Sequence, residues 1–395
     1  MRILLAVVAS TVFAIPVQAT PIYVDNFSEL SSAIKSANST PGSIIYLAPG
    51  TYSGGALPLI TASMTLQLDP AFHAAAGAAI LKTTPTNSKG ILTVPTVANV
   101  NLTVNGLTFE NASISATLGG NAAGIRDQAT GASNLTVLNS TFLHNQDGIL
   151  TGNGLPAQQQ QLVVSIANSL FANNGGANGM EHGIYIFGHS LNISGSTFCG
   201  TKGGHDVKSR TAITTISNSS LYDGLAPSSQ PLCSAGTSSY AVDAPNGGLL
   251  TLTGDLLSQG SGSPNRAIVS YGEEGLRYTN NAFTVSEDFF KSTISGRAIQ
   301  ELANGTPTCL VPVQLSNTTF SSNLQPVVPA GCSFSPPALQ MSRTLEASLA
   351  VDEPKDVGLF IVTVASLLML SRRDRSRRVR AIWARALTGG PAVSI

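Results

Sequence analysis

Val104-Asn-Gly-Leu-Thr-Phe109, Val137-Leu-Asn-Ser-Thr-Phe142, Ile166-Ala-Asn-Ser-Leu-Phe171 and Ile193-Ser-Gly-Ser-Thr-Phe198 are four copies of one phrase: apolar, any residue, Asn or Gly, two mostly small residues, Phe. Looser copies end at Leu221, Leu257, Phe283 and Phe320, so the end points fall 33, 29, 27, 23, 36, 26 and 37 residues apart. A unit of this length that keeps returning signals stacked supersecondary repeats. Each copy alternates apolar and polar residues like a short strand and contains a turn-prone Asn or Gly. No helical period separates the copies. Short strands at one or more per repeat predict a solenoid of parallel strands wound as a helix.

A second strand recurs beyond each Phe: Gly124-Ile-Arg-Asp127, Gly148-Ile-Leu-Thr151, Gly183-Ile-Tyr-Ile186, Asp206-Val-Lys-Ser209, Ala241-Val-Asp-Ala244 and Ala267-Ile-Val-Ser270. Aligned, these give one inward file of Ile125, Ile149, Ile184, Val207, Val242 and Ile268. Side chains alternate across a strand, so the next position faces out: Arg126, Leu150, Tyr185, Lys208, Asp243 and Val269. The expectation is that Lys208 has Tyr185 on one side and Asp243 on the other, one strand spacing away.

Upstream, Phe27, Leu30, Ile34 and Ala37 form one apolar helical stripe. It is followed by Gly42-Ser-Ile-Ile-Tyr-Leu-Ala-Pro-Gly-Thr-Tyr52. A helix there would cover the open edge of the first coil. These features together resemble the right-handed parallel β-helix proteins of the pectate-lyase-like fold, over residues 20–335. The resemblance implies an all-β, single-stranded right-handed parallel β-helix with a short N-terminal capping helix. It does not fix an activity, because this fold hosts lyases, hydrolases, epimerases, adhesins and inert scaffolds.

Residues 1–19 read as a secretory signal: Arg2, the apolar run 3–15, and Val17-Gln-Ala19 as a small-residue cleavage site. At the other end a linker, 336–356, leads to an apolar segment, 357–371, and a basic tail, 372–395, with Arg372, Arg373, Arg375, Arg377, Arg378 and Arg380. Such a tail stays on the inner side of a membrane. With Asp352-Glu-Pro354 ahead of it, this end resembles the C-terminal Pro-Glu-Pro sorting signals of Gram-negative bacteria, which implies an exosortase-like partner and membrane attachment through this segment. An exported protein of the cell envelope, anchored or released, is therefore expected.

The formal charge of zero hides an asymmetry. Residues 20–354 carry 12 basic and 19 acidic residues. Such a surface does not bind nucleic acid by bulk charge. A monomer is expected, with a polysaccharide as partner. The four cysteines suit an oxidising compartment; Cys199 with Cys233 and Cys309 with Cys332 are the favoured pairs, each about one coil apart.

Charged residues are sparse, yet many converge between residues 181 and 274. His182 and His205 lie near the start of the second recurring strand and Arg266 precedes it two coils on; Arg210 and Tyr271 lie past its end. Glu273-Glu274 follow in a Gly-bounded turn and read as solvated. Such a concentration predicts a groove with Lys208, His205 and Arg210 as the catalytic set and His182, Tyr185, Asp243, Arg266 and Tyr271 against substrate. The segment Asp206-Val-Lys-Ser-Arg210 is similar to the Lys-Ser strand of β-helix alginate and chondroitin lyases. That resemblance implies uronate β-elimination with Lys208 as base. Elimination needs a neutraliser for the substrate carboxylate, a base for the C5 proton and an acid for the leaving oxygen. Arg or Ca²⁺ serves as neutraliser in such sites. The family's acid is an arginine one coil further on, where this chain has Ser228 and Ser229, so Arg210 or Arg266 would have to act. Two further readings stand beside this one. Asp206 and Asp243, one coil apart, are the carboxylates a glycoside hydrolase would need. A non-catalytic polysaccharide-binding or matrix scaffold needs no catalytic group. No metal-ligand spacing is present.

Overall fold

The structure, a computed structural model, describes residues 20–72, 77–176 and 179–334. The signal segment, the linker, the apolar segment and the basic tail lie outside them. No helix among the described residues is long and apolar enough to cross a membrane.

The helix Phe27–Ser39 caps the first coil. Asn26 starts it, its side-chain oxygen accepting from the Glu29 N–H, which satisfies one of the free donors of a helix N-terminus. Leu30, Ala33, Ile34 and Ala37 are its buried face. Tyr52 of the Pro-Gly-Thr-Tyr run is fully buried, its hydroxyl donating 2.9 Å bonds to the carbonyls of Val24 and Ala48.

From there the chain winds as a right-handed parallel β-helix. Each coil contributes to three parallel ladders. Asn101–Asn105, Asn134–Leu138, Val163–Ala167 and Leu249–Thr253 belong to the first. Leu107–Glu110, Thr141–Leu143, Leu170–Ala172 and Thr197–Cys199 belong to the second, a sheet of ten strands. Ala123–Asp127, Asp147–Thr151, Tyr240–Ala244 and Ala267–Tyr271 belong to the third. In two coils, Ile184–Ser194 and His205–Ser217, one strand runs without a loop from the third ladder into the first.

The repeated phrase is the corner between the first and second ladders. Its third residue is left-handed in every copy: Gly106 (φ 71°), Asn139 (49°), Asn168 (50°), Gly195 (55°), Asn218 (49°), Gly254 (66°) and Asn317 (50°). Gly and Asn visit that region at least cost, which is why they recur. The small residue after it has its own task. Ser140, Ser169, Ser196 and Ser219 each place Oγ against the backbone N–H of the preceding coil at 3.1–3.3 Å, and Asp255 and Asp288 continue the row at 2.7 Å. The Phe of each copy points inward. Phe109, Phe142, Phe171 and Phe198 stack with centroids 4.9, 4.6 and 4.6 Å apart, followed in register by Leu221, Leu257, Phe290 and Phe320. Phe290 therefore takes the place expected for Phe283. Phe283 is also buried, but in the first ladder, between Leu250 and Val313. Glu287, left-handed at φ 62°, stands where the phrase calls for Asn or Gly and obscures the copy.

Rings stacked this closely leave no room at the next corner. A Cβ on Gly124 would sit 2.8 Å from the Phe142 ring, and one on Gly148 2.8 Å from the Phe171 ring. Both expected disulfides are formed, Cys199–Cys233 and Cys309–Cys332.

Candidate active-site groove

The third ladder carries the polar cluster. Lys208 pairs in register with Tyr185 on one side and Asp243 on the other, as its neighbours in sequence require. Leu150 and Arg126 continue the same outward file toward the N-terminal end. At the other end the expected alignment slips by one residue. Val242 pairs with Val269, and Asp243 with Ser270. Val269 thus faces inward and Ser270 outward. The slip also turns Tyr271 inward. It is fully buried, its hydroxyl bonded to the Gly248 carbonyl at 2.6 Å, and cannot meet a substrate.

Two residues before the inward position runs a second file. His182, His205 and Tyr240 fall in it, their rings 5.0 and 5.2 Å apart. His182 is almost wholly buried. Its Nδ1 accepts from the His205 backbone N–H at 3.0 Å, and its own N–H donates to Asp147 Oδ1 at 2.8 Å. Burial, reinforced by neighbouring His205, brings its pKa down to about 2. Burial, with Lys208 adding to it, brings His205 to about 3. Both imidazoles are thus neutral.

Asp243 is the shared partner. Its Oδ2 lies 3.3 Å from His205 Nε2 and 3.4 Å from Lys208 Nζ, while Oδ1 has no hydrogen-bond partner. Burial lifts its carboxyl to about 6, against the pull of Lys208. Lys208 keeps 15% of its side chain exposed and reaches over the Tyr185 ring at 5.5 Å. Arg210 is fully engaged. Its Nε donates to the Tyr185 hydroxyl at 2.7 Å, Nη1 to Asn246 at 3.0 Å, and its fork grips the Glu274 carboxylate. Accordingly Glu274 is no solvated bystander. The Arg210 bond, more than any other influence, holds its carboxyl below the usual range. Burial raises the Tyr185 phenol, and the Arg210 charge opposes that rise.

Beside Tyr185 opens a cavity of about 470 Å³, lined by Arg126, Leu150, Phe187, Met180 and Gln160 among others. Sequence reasoning placed Arg126 and Leu150 on the outward file without assigning them a task, and it passed over Phe187. Arg266 is not drawn into the cluster; it is exposed and reaches the Ser295 carbonyl. Asp206 is buried at the corner of the second and third ladders, beside Asp223, Thr201 and Ser238. Since Asp206 is closed to solvent at the corner while Asp243 stands on the outward file, itself buried, the two cannot flank one glycosidic bond. The hydrolase reading loses its carboxylate pair. Among the described residues the cluster of three metal-ligating side chains is Glu301, Cys309 and Cys332, whose sulfurs are bonded to each other. Such a set does not suit Ca²⁺, which takes six to eight oxygens.

No protein-family model matches the chain, and no curated protein matches it. Among solved structures it is similar to an alginate lyase from a Paenibacillus species, at 14% identity over 77% of this chain and 99% of that one, TM-score 0.47. A pectate lyase follows at 16% identity over 78% and 79%, TM-score 0.43. The A-module of a mannuronan C-5 epimerase from Azotobacter vinelandii matches at 12% identity over 78% and 95%, TM-score 0.36. Likenesses at this level carry no activity over to the chain.

Proposed function

We propose that this protein is a carbohydrate-active β-helix that takes an acidic polysaccharide along the outward file of its third ladder and cleaves it by β-elimination beside Tyr185 and Lys208. One observation carries this reading: Tyr185, Lys208 and Asp243 stand side by side in consecutive coils, and Tyr185 lines a cavity whose walls also include Phe187 and Arg126. Lys208 Nζ takes the C5 proton. The C4–O bond then breaks as the C4–C5 double bond forms, and the Tyr185 O–H protonates the departing oxygen. Arg210 does not meet the substrate. Its Nε–H, already on the Tyr185 oxygen, stabilises the phenolate left behind. Asp243 and His205 hold Lys208 in position. Aromatic faces at Tyr185 and Phe187 offer stacking surface to sugar rings.

The second reading is a polysaccharide-binding scaffold without catalysis. The observation that favours it is the pairing of Lys208 with Asp243 and of Arg210 with Glu274, an arrangement that satisfies the charges internally.

Elimination leaves an unsaturated uronate that absorbs near 235 nm. The expected outcome is a rising absorbance with alginate, pectate or glucuronan, lost in Lys208→Ala and cut at least 100-fold in Tyr185→Phe by removal of the acid. A flat trace with every uronan, while binding to one of them persists, selects the scaffold.

A further inference from the structure

Arg126 lies at the far end of the cavity from Lys208 and has a singular environment. Its side chain is half-buried, and its Nε is shut off from solvent without a hydrogen-bond partner. Burial destabilises its charge, and Asp147 is the neighbour that offsets this. Asp147 is wholly buried; its Oδ1 accepts from the His182 N–H, and its Oδ2 makes no hydrogen bond to Arg126 or to any other group. An unpartnered buried donor is costly, and Nε is closed to a ligand as it is to water; what Arg126 offers a ligand is the part of its side chain that lines the cavity.

The surroundings define that ligand. Arg126 is on the same file as Tyr185, with Leu150 between them. Two strand spacings make this about 10 Å, and Lys208 is about 14 Å away. Leu150, Tyr185 and Phe187 supply apolar and aromatic faces, while Asn121 and the buried Gln160, whose Nε2 donates to the Leu155 carbonyl at 2.7 Å, complete the lining. The file closes beyond Arg126, since the next residue in register, Thr93, is 1% exposed. An occupant therefore has an anionic group at Arg126, ring-sized faces beside it, and a length that carries it toward Lys208.

Resting on the function proposed above, we infer that this cavity is a subsite for the carboxylate of a uronic acid residue, forked by Arg126, two to three sugars from the residue acted on at Lys208. A guanidinium fork matches a carboxylate in a bidentate manner that an amide or ammonium does not.

The test is titration calorimetry on the full chain with acidic tetrasaccharides from alginate and pectate, and with the same tetrasaccharides after carboxyl reduction to neutral sugars. Arg126→Gln is expected to weaken binding of an acidic tetrasaccharide 10-fold or more, and Arg126→Lys to weaken it less. The neutral tetrasaccharides should bind the wild type and both variants alike. Equal affinity of the wild type and Arg126→Gln for the acidic form overturns the subsite. The absorbance assay at 235 nm then still decides the elimination reading on its own. Failure of the wild type to bind any acidic tetrasaccharide overturns both. If Arg126→Gln melts with the cold or does not fold, Arg126→Lys decides the question through the same acidic–neutral contrast.

Discussion

Asp206 holds both carboxylate oxygens inside the protein without a hydrogen-bond partner. Burial, and then the neighbouring Asp223, raise its pKa well above the ordinary carboxylate value. Asp223 is lifted by burial to about 6, against bonds from Ser238 and Gln259. Both acids bind protons more tightly in the folded chain than in the unfolded one. Their contribution to stability is thus fully present below the unfolded value near 3.8 and is lost as pH rises through the folded values. The melting temperature is expected to fall between pH 4.5 and pH 7.5. Asp206→Asn should raise it at pH 7.5 by several degrees and change it little at pH 4.5; scanning calorimetry at the two values checks this. Some slope will persist in the variant, because burial also raises Asp127 and Asp288 to about 7. A sequence does not reveal such a pair. Asp206 occupies the position that is Gly124 and Gly148 in earlier coils, and nothing in its neighbours in sequence says that it points inward. The same blindness hid the engagement of Arg210, whose partners Asn246 and Glu274 come from the next two coils.

At the scale of the single corner, the phrase that repeats was legible because one φ value repeats. A left-handed residue admits Gly and Asn cheaply and other residues only at about 1–2 kcal/mol. Glu287 is the exception, exposed and left-handed at φ 62°. Glu287→Gly or Glu287→Asn is expected to stabilise the protein by about 1 kcal/mol, read as a shift in the urea midpoint at unchanged slope. The exception also explains the one misplaced anchor. With the corner residue disguised, Phe283 and Phe290 both look eligible, and only register decides between them. The one-residue slip that put Ile268 in place of Val269 has a related cause. Ala267-Ile-Val is apolar throughout, and Ile268 and Val269 are both fully buried, so alternation gives no phase. Where the strand carried a charge at the outward position, as at Lys208 and Asp243, the register was correctly read from the sequence.

For the whole molecule, the period and composition announce the solenoid, and cysteine spacing about one coil apart announces the two disulfides. The groove was half legible. Its polar residues could be gathered by aligning coils, but its concavity arises from the segments between ladders, around Asn121, Gln160 and Met180, whose course no period describes. In a solenoid each coil rests only on its neighbours, so cross-links act locally. The bond Cys309–Cys332 closes the last described coils. Replacing both of its cysteines with serine should accelerate amide exchange between residues 296 and 334 and leave the groove strands as protected as before. Replacing Cys199 and Cys233, whose bond spans 34 residues and encloses His205–Ser217, should cost about 2–4 kcal/mol and loosen that strand as well.

The two strands that pass unbroken from the third ladder to the first are the ones that carry Tyr185, Lys208 and Arg210. A chain with no loop there has no local hinge, so the backbone beneath those side chains is held in register by the coils on either side. The backbone of the candidate site is in this sense a fixed frame. A sugar that inverts a single ring carbon keeps every functional group of the correct one and still presents one hydroxyl or carboxylate in the wrong direction. Under the function proposed above, a fixed backbone frame of this kind would disfavour such an epimer by geometry.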